Sequence, residues 1–443
     1  MKLVRDLYLQ NRLFLLIGLV VIVFIITFVV GSGYIIPKIL FFLLIAGLFT
    51  DIILLFRVKR GMRGERLLAD KLSNGDENEI SIYLESFYTF PIALRVFDEI
   101  PHQFQRRDLE FNLLLGPGDQ KVIKYTLRPV KRGEYSFGAV NILASSSLKL
   151  IARRFRFSTD KLVPVYPSYI QMRKYELLAI SQRLTNTGIK KIRRIGHNQE
   201  FELIKEYVTG DDFRTVNWKA TARKNRLMVN QYQDEKSQAV YNVIDMGRVM
   251  KMPFEELSLL DYAINASLVI SNIALLKQDR AGLLTFSNKT QSVLLAERRN
   301  TQLHKIMELL YNQKTAYLES DFERLYIQVK RKIPHRSLLL LYTNFESLSA
   351  LQRQLIYLRR LAKDHLLVVI FFENTELVDF ANKRAETTEE VYNKVIAEKF
   401  VFEKKIIVKE LEKHGIHCIL TNPQKLSINT INKYMELKAR GLI

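Results

Sequence analysis

The chain has 443 residues, a length that allows about two to four domains that each bury a core of their own. The formal net charge is +21, so the expected partners are nucleic acids, anionic membrane surfaces or acidic proteins. A single cysteine, Cys418, excludes an intramolecular disulfide and any metal site built from several cysteines. Cys418 lies in an apolar run, which is typical of a buried and unreactive thiol.

Two apolar runs near the N-terminus predict a transmembrane hairpin. The first covers residues 13–30, and at about 1.5 Å per residue it reaches about 27 Å, close to the hydrocarbon thickness of a bilayer. Glycines at 31 and 33 break the helix, and a second apolar run covers residues 39–56. The alternative for the first run is a cleaved signal peptide, whose apolar core usually has only about 7–15 residues.

Basic residues flank the hairpin on both sides and almost avoid its link. The positive-inside rule therefore predicts that both ends of the hairpin, and everything after residue 57, lie in the cytoplasm at the inner membrane. The basic run at residues 57–66 is expected to rest on anionic headgroups, which makes the lipid bilayer the first partner. The basic residues are Lys2, Arg5 and Arg12 before the hairpin, Lys38 in its link, and Arg57, Lys59, Arg60, Arg63 and Arg66 after it.

The chain divides by pattern into four regions. Residues 1–66 form the hairpin with its basic flanks, and residues 73–169 contain short alternating runs between turn signals, which predict an immunoglobulin-like β-sandwich. Residues 170–235 are a connecting segment with a basic cluster at 190–194 that lacks interleaved aromatic residues, so nucleic acid is not an expected partner. Residues 236–443 alternate strands and helices, which predicts a parallel α/β sheet of Rossmann-like type.

The connecting segment contains an unusual mixture of residues at 206–229. Charged side chains stand among small residues beside the only tryptophan, and such charges are tolerated under an apolar cover only when they are paired. We therefore expect a structural clasp in which Trp218 is buried and Arg214 or Arg223 pairs with Asp211 or Asp212. The residues of this predicted clasp are Gly210, Asp211, Asp212, Arg214, Asn217, Trp218, Lys219 and Arg223.

The run G-D-D-x-R-x-x-N-W-K-A-x-A-R at residues 210–223 resembles the signature of domain-of-unknown-function family 58. Those proteins are bacterial membrane proteins in which the signature leads into a von Willebrand factor type A-like domain. The run D-R-A-G-L-L-x-F-S at residues 279–287 is similar to the third-strand region of such domains. The resemblance implies an interaction protein, without a cofactor, that works with a MoxR-type AAA+ ATPase and other von Willebrand factor A proteins in assembly or maturation at the membrane.

A von Willebrand factor A domain that binds metal carries Asp-x-Ser-x-Ser after its first strand, a threonine on a second loop and an aspartate after a later strand. The resemblance places Asp245, Gly247 and Val249 in the first run, Thr315 on the second loop and Asn344 in place of the later acid. Because only one of these side chains is a carboxylate, we expect a vestigial site without metal. The alternative reading is that Asp245 only caps the helix that follows it.

No nucleotide-binding loop, H-E-x-x-H motif or G-x-S-x-G elbow occurs in the sequence. The remaining catalytic hypothesis is a membrane-anchored hydrolase that uses Asp211 and Asp212 as paired acids. The basic residues around the two carboxylates would lower their pKa values, which favours ion pairing over acid catalysis. The sequence therefore predicts a protein that is not an enzyme.

Overall fold

The computed structural model describes residues 5–442 except 32, 107–108, 159, 181–199, 210, 212, 234–236, 289, 316–317 and 386. Gly210, Asp212 and the basic cluster at 190–194 lie outside the described residues. The chain forms two compact units, Met1–Tyr166 and Pro167–Ile443.

Two N-terminal helices are long and apolar enough to cross a membrane, as the sequence predicted. They are α1 (Asn11–Val30) and α2 (Ile35–Arg57), and only 11% of the most apolar window of each is buried. Helix α1 ends at Gly31, whose backbone φ of 72° is the left-handed conformation that glycine adopts without steric cost. In the second unit, Leu259–Leu276 has a similar composition, but 78% of it is buried, so it is a core helix.

The rest of the first unit is built from β-strands, which confirms the predicted β-rich region. One sheet has five strands in the order β1-β10-β9-β5-β6, and two sheets have three strands each, in the orders β2-β4-β7 and β3-β11-β8. The strands are β1 (Leu7–Leu9), β2 (Met62–Leu67), β3 (Leu72–Ser73), β4 (Asn78–Ser86), β5 (Ile92–Asp98), β6 (Glu110–Leu115), β7 (Gln120–Leu127), β8 (Gly133–Phe137), β9 (Val140–Ser145), β10 (Ile151–Phe157) and β11 (Lys161–Tyr166).

The β-rich region begins earlier than the predicted boundary at residue 73. Strand β2 pairs with β4, and β1, which precedes the first apolar helix, pairs with β10. Arg66 was expected at the membrane surface, but its side chain is only 3% exposed and its Nε donates to Asp98 Oδ2 over 3.1 Å. That expectation was wrong. Burial of Arg66 is tolerated because its guanidinium donates to the Asp98 carboxylate and to the carbonyl of Gly138, 3.0 Å from Nη1.

The end of α2 is fixed to the β-strands of its own unit by three polar side chains. Asp51, which is fully buried, accepts hydrogen bonds from Ser146 Oγ and from the backbone N–H groups of Leu150 and Ile151. Arg153 donates to the carbonyls of Leu55 and Val58 over 2.8 and 2.7 Å, where the last helical turn has no partners of its own. The Tyr88 hydroxyl also donates to the Leu55 carbonyl over 2.9 Å. The apolar hairpin therefore packs directly against the β-rich region rather than being joined to it by a flexible linker.

The second unit contains a six-stranded sheet in the order β18-β17-β14-β19-β20-β21. All neighbours are parallel except the edge strand β18, which is antiparallel to β17. When these six strands are renumbered in chain order, their order across the sheet is 3-2-1-4-5-6, which is typical of a doubly wound α/β fold. The strands are β14 (Ala239–Asp245), β17 (Arg280–Phe286), β18 (Thr290–Glu297), β19 (Leu338–Tyr342), β20 (Leu366–Phe372) and β21 (His417–Thr421), and two short hairpin strands are β15 (Pro253–Phe254) and β16 (Leu257–Ser258).

Helices cover both faces of this sheet, because its strands are apolar on both sides. Tyr241, Val243 and Leu341 contribute to one buried core together with α7, α8 and α10. On the other side Asn242 donates to Ser271 Oγ of α5 over 2.9 Å. The helices are α3 (Tyr169–Ile180), α4 (Trp218–Lys224), α5 (Leu259–Leu276), α6 (Thr301–Tyr311), α7 (Phe322–Lys332), α8 (Leu348–Asp364), α9 (Thr375–Asn382), α10 (Thr388–Lys413) and α11 (Leu426–Ala439).

Replacement of Asp51 by alanine should destabilise the first unit strongly. The change leaves the Ser146 hydroxyl and two buried backbone N–H groups without an acceptor, at about 1–3 kcal/mol for each group. We expect a loss of at least about 3 kcal/mol, equivalent to roughly 6–12 °C in the thermal midpoint of a unit of this size. Thermal unfolding in detergent measures this. Thr50→Ala is the control, because Thr50 is exposed and bonds only within its own helix. Equal midpoints for the two variants would contradict the role of Asp51.

Candidate functional site

The carboxyl ends of the parallel strands form the first candidate site. Strand β14 lies between β17 and β19, so the chain passes to opposite sides of the sheet from this point. Crevices at such positions are where open α/β sheets bind ligands. The loops that follow β14, β19 and β20 meet here, and they bring together residues that are far apart in sequence.

Asp245, at the end of β14, is 1% exposed and both of its carboxylate oxygens have partners. Thr343 Oγ1 donates to Oδ2 over 2.6 Å, and the Gly247 backbone N–H donates to Oδ1 over 2.8 Å. Ser320 Oγ also donates to Oδ1. Burial raises the pKa of Asp245, and these hydrogen bonds act in the opposite direction. Asp245 is therefore the centre of a closed cluster of hydroxyl and amide donors.

The cluster differs from the predicted vestigial site in two of its members. The side chain that reaches Asp245 from the second loop belongs to Ser320 rather than Thr315, and Thr343 rather than Asn344 approaches it from β19. Asn344 accepts a hydrogen bond from Lys404 Nζ over 2.7 Å instead. Successive side chains at the end of a strand point in opposite directions. Thr343 therefore reaches Asp245, while the next residue, Asn344, reaches Lys404.

The geometry around Gly247 leaves no room for an additional ligand. A Cβ atom at this position would stand 2.1 Å from Ser320 Oγ and 3.1 Å from Asp245 Oδ1. The hydroxyl of Ser320 therefore occupies the space into which a serine at position 247 would project. Because the hydroxyls of Ser320 and Thr343 both donate to the single carboxylate of Asp245, these residues do not fit the open oxygen cage that Mg²⁺ requires. Among the described residues, no group of three or more His, Cys, Asp or Glu side chains could hold a metal.

A cavity of about 450 Å³ lies beside the Asp245 cluster, over the carboxyl ends of β19 and β20. Its walls come mainly from apolar residues of α9 and α10 and of the β15 strand. Lys404 lies within it, and its ammonium donates to Asn344 Oδ1 over 2.7 Å and to the Phe345 carbonyl over 2.5 Å. Burial lowers the pKa of Lys404 to about 8. The lining includes Phe254, Phe372, Leu377, Phe380, Ile396 and Phe400, with Glu346, Glu373 and Glu376 as the acidic members.

The second candidate site is the signature loop, defined here as residues 207–227. It connects the antiparallel strands β12 (Glu200–Glu206) and β13 (Met228–Gln233). Asp211 closes a turn by accepting from the Val208 N–H over 3.0 Å and from Lys205 Nζ over 2.9 Å. Asn217 caps α4 by accepting from the Ala220 N–H over 3.0 Å, and it donates to Asn230 Oδ1 over 2.8 Å. The polar residues of the signature thus fold the loop itself.

The structure contradicts the expected burial of Trp218. Its side chain is 69% exposed, and the loop also exposes Phe213. The partner of Asp211 is Lys205 rather than an arginine of the motif, and the bonds from Lys205 and the Val208 N–H lower the pKa of Asp211. The expected burial was wrong because the loop is small and has no interior that could enclose an indole ring. The expected pairing of an arginine with Asp212 lies outside the described residues.

Several contributors to these sites were absent from the sequence analysis. Ser320 lies 75 residues from Asp245, and Lys404 lies 60 residues from Asn344, so no local pattern connects either pair. Lys205 lies only six residues before Asp211, and its ammonium pairs with that carboxylate.

Comparison with known proteins supports a relationship for the central part of the chain. The family described as "Protein of unknown function DUF58" matches residues 204–379. The chain is 25% identical over 215 residues to the uncharacterized protein YeaD of Bacillus subtilis (strain 168), which covers 47% of this chain. The match spans 53% of YeaD, so the chain covers about half the length of that relative.

Solved structures show only weak overall similarity. The conserved hypothetical protein BatB from Bacteroides thetaiotaomicron aligns with 46% of this chain and 100% of its own, at a TM-score of 0.29 and 10% identity. The ASH/PapD-like domain 7 of human CEP192 aligns with 24% of this chain and 87% of its own, at a TM-score of 0.19 and 12% identity.

The packing of Gly247 against Ser320 can be tested by a double-mutant cycle. Gly247→Ala alone should destabilise the second unit by about 1–3 kcal/mol, because the added methyl group overpacks the cluster. Ser320→Ala alone removes one hydrogen bond to Asp245. The combined variant should be more stable than the sum of the two losses by at least about 1 kcal/mol, since the clash disappears. Denaturant unfolding measures all three variants. Strict additivity would show that Ser320 does not fill the space beside Gly247.

The roles of Asn217 and Trp218 in the loop should separate clearly. Asn217→Ala removes the cap of α4 and should destabilise the loop by about 1 kcal/mol. Trp218→Ala should change its stability by less than about 0.5 kcal/mol, because the indole is mostly exposed. Hydrogen exchange of residues 218–229 reports both changes directly. Protection lost on removal of Trp218 but kept without the Asn217 side chain would reverse this assignment.

Proposed function

We propose that the chain is a membrane-tethered interaction protein that faces the cytoplasm. It works with a MoxR-type AAA+ ATPase, and with other von Willebrand factor A proteins, in the assembly or maturation of a membrane or envelope complex. The two N-terminal helices anchor it in the inner membrane, and the α/β unit is its binding domain. The family match at residues 204–379 supports the relationship on which this proposal rests.

Anchoring is supported by the way the hairpin meets the sandwich. Strand β1 leads into α1 and pairs with β10, while the end of α2 is held by Asp51, Arg153 and Tyr88. Both ends of the hairpin thus belong to the same β-rich body, which is the arrangement that a protein with both flanks on one side of a membrane requires. The basic residues around the hairpin favour the cytoplasmic side.

A von Willebrand factor A-like assignment of the α/β unit is supported by three features. The sheet has the doubly wound order, its one antiparallel strand is at the edge beside β17, and an acid ends the central strand β14. The cluster around Asp245 is closed by hydroxyl donors, so contact with a partner at this edge would be direct and independent of metal.

The observation that carries the proposal is the cavity beside that cluster. It is apolar, large enough for one or two side chains, and open at the edge of the sheet where α/β proteins bind their ligands. Glu346 and Glu376 are exposed in its lining, and Glu373 is half-buried. This charge favours a partner segment with an apolar anchor residue next to basic residues, because complementary charges at a rim accelerate association and select the partner.

The hydrolase alternative has less support. Asp211 is engaged by Lys205 and the Val208 N–H, and its pKa is lowered. An ionised carboxylate in this state accepts hydrogen bonds but does not donate a proton, so it suits a structural role better than general acid catalysis.

Photo-crosslinking in native membranes tests the proposed binding face. A photoreactive residue at position 400, in the cavity wall, should capture an AAA+ ATPase, whereas the same residue at Val122 on the exposed face of the sandwich should not. Leu377→Asp should lower the capture at least about tenfold, since it places a charge in an apolar wall, and Val122→Asp should leave it unchanged. ATPase capture that depends on Val122, or the absence of any ATPase among the products, would contradict the proposal.

A further inference from the structure

The signature loop presents apolar side chains to solvent although its backbone is firmly hydrogen-bonded. Val208, Phe213 and Trp218 are 62%, 63% and 69% exposed. The Phe213 ring leans on Tyr207 with 5.2 Å between ring centroids. Three large apolar groups exposed on one short loop are a feature that usually marks a binding surface.

Polar contacts fix the backbone of the loop and so keep these side chains exposed. Asp211 closes the turn after Val208, Asn217 caps α4, and Thr221 Oγ1 accepts from the Met228 N–H over 3.0 Å. The Asn217 N–H donates to the Met228 carbonyl over 2.8 Å, which ties the loop to β13. A loop with so many fixed backbone positions does not collapse to bury its aromatic residues, so their exposure is a property of the folded state.

Basic residues surround the exposed aromatic side chains. Lys219, Arg223 and Lys224 follow Trp218 on α4, and all three are exposed. Among the described acids in and beside the loop, Asp211 pairs with Lys205, and Glu206 at the end of β12 pairs with Arg226. Tryptophan and phenylalanine beside lysine and arginine are the composition that settles at the headgroup level of a bilayer.

We propose that the signature loop is a second membrane contact, in which Phe213 and Trp218 insert among the headgroups while Lys219, Arg223 and Lys224 bind the phosphates of anionic lipids. The inference rests on the membrane anchoring proposed above. Two features favour lipid over an acidic protein: the apolar groups stand together on one loop instead of lining a groove, and a chain anchored by a hairpin has lipid nearby at high effective concentration.

Trp218 makes a direct test feasible, because it is the only tryptophan of the chain and its fluorescence reports this loop alone. The full-length protein is reconstituted in vesicles of phosphatidylcholine and phosphatidylglycerol, with nitroxide-labelled lipids that quench at the headgroup level or deep in the acyl chains. We expect at least about a twofold stronger quenching by the shallow label than by the deep one. The quenching should fall at least about threefold in pure phosphatidylcholine and in the variant K219E/R223E/K224E.

A matched control moves the fluorophore to another exposed position. In the variant W218F/Y392W the tryptophan stands on α10, where Tyr392 is 68% exposed, and it should remain unquenched. Equal quenching at positions 218 and 392 would overturn the inference, since it would indicate unspecific adsorption of the whole unit. Retention of the protein in the vesicles at alkaline pH with an unquenched Trp218 would overturn the loop contact alone. Extraction of the protein under the same conditions would contradict the anchoring, and the loop contact with it.

Discussion

The first unit depends on the interaction between one buried carboxylate and a turn of the β-rich region. Asp51 lies near the end of an otherwise apolar helix and accepts three hydrogen bonds from residues 146–151. A carboxylate in such surroundings is tolerated only with a full set of donors, so its presence fixes where the turn between β9 and β10 must lie. Strand β10 also positions Arg153, whose guanidinium donates hydrogen bonds to the carbonyls at the end of the same helix. The contacts that hold the hairpin therefore also fix the register of the sheet.

Much of this architecture could be predicted from local pattern. The apolar runs predict the two long helices, and continuous apolar strands such as Leu338–Tyr342 predict the α/β sheet. Both signals are strong because they extend over many residues. The limits appeared where a polar residue meets a distant partner. Arg66 is indistinguishable in sequence from its exposed basic neighbours, and only the fold brings it to Asp98. The same holds for Ser320 and Lys404.

The signature loop shows a different kind of limit. Asp211 and Asn217 close hydrogen bonds within the loop, whereas the expectation that Trp218 lies inside was wrong. Large apolar residues are buried in most contexts, and the exception arises here because the loop closes its hydrogen bonds within about twenty residues. The tryptophan is left outside a loop that needs no core. Exposure of an aromatic residue can be predicted only when the number of side chains that could cover it is known.

The pairing of β1 with β10 has a consequence for biosynthesis. Leu9 is aligned with Ile151, so the first strand waits for its partner while about 140 further residues, including both apolar helices, are made. At roughly 5–20 residues per second this delay amounts to roughly 7–30 s. During that interval β1 has no partner strand and Asp51 lacks its donors. The β-rich body can close only after β10 has left the ribosome, so folding of this unit begins with both apolar helices already made and its first strand still unpaired.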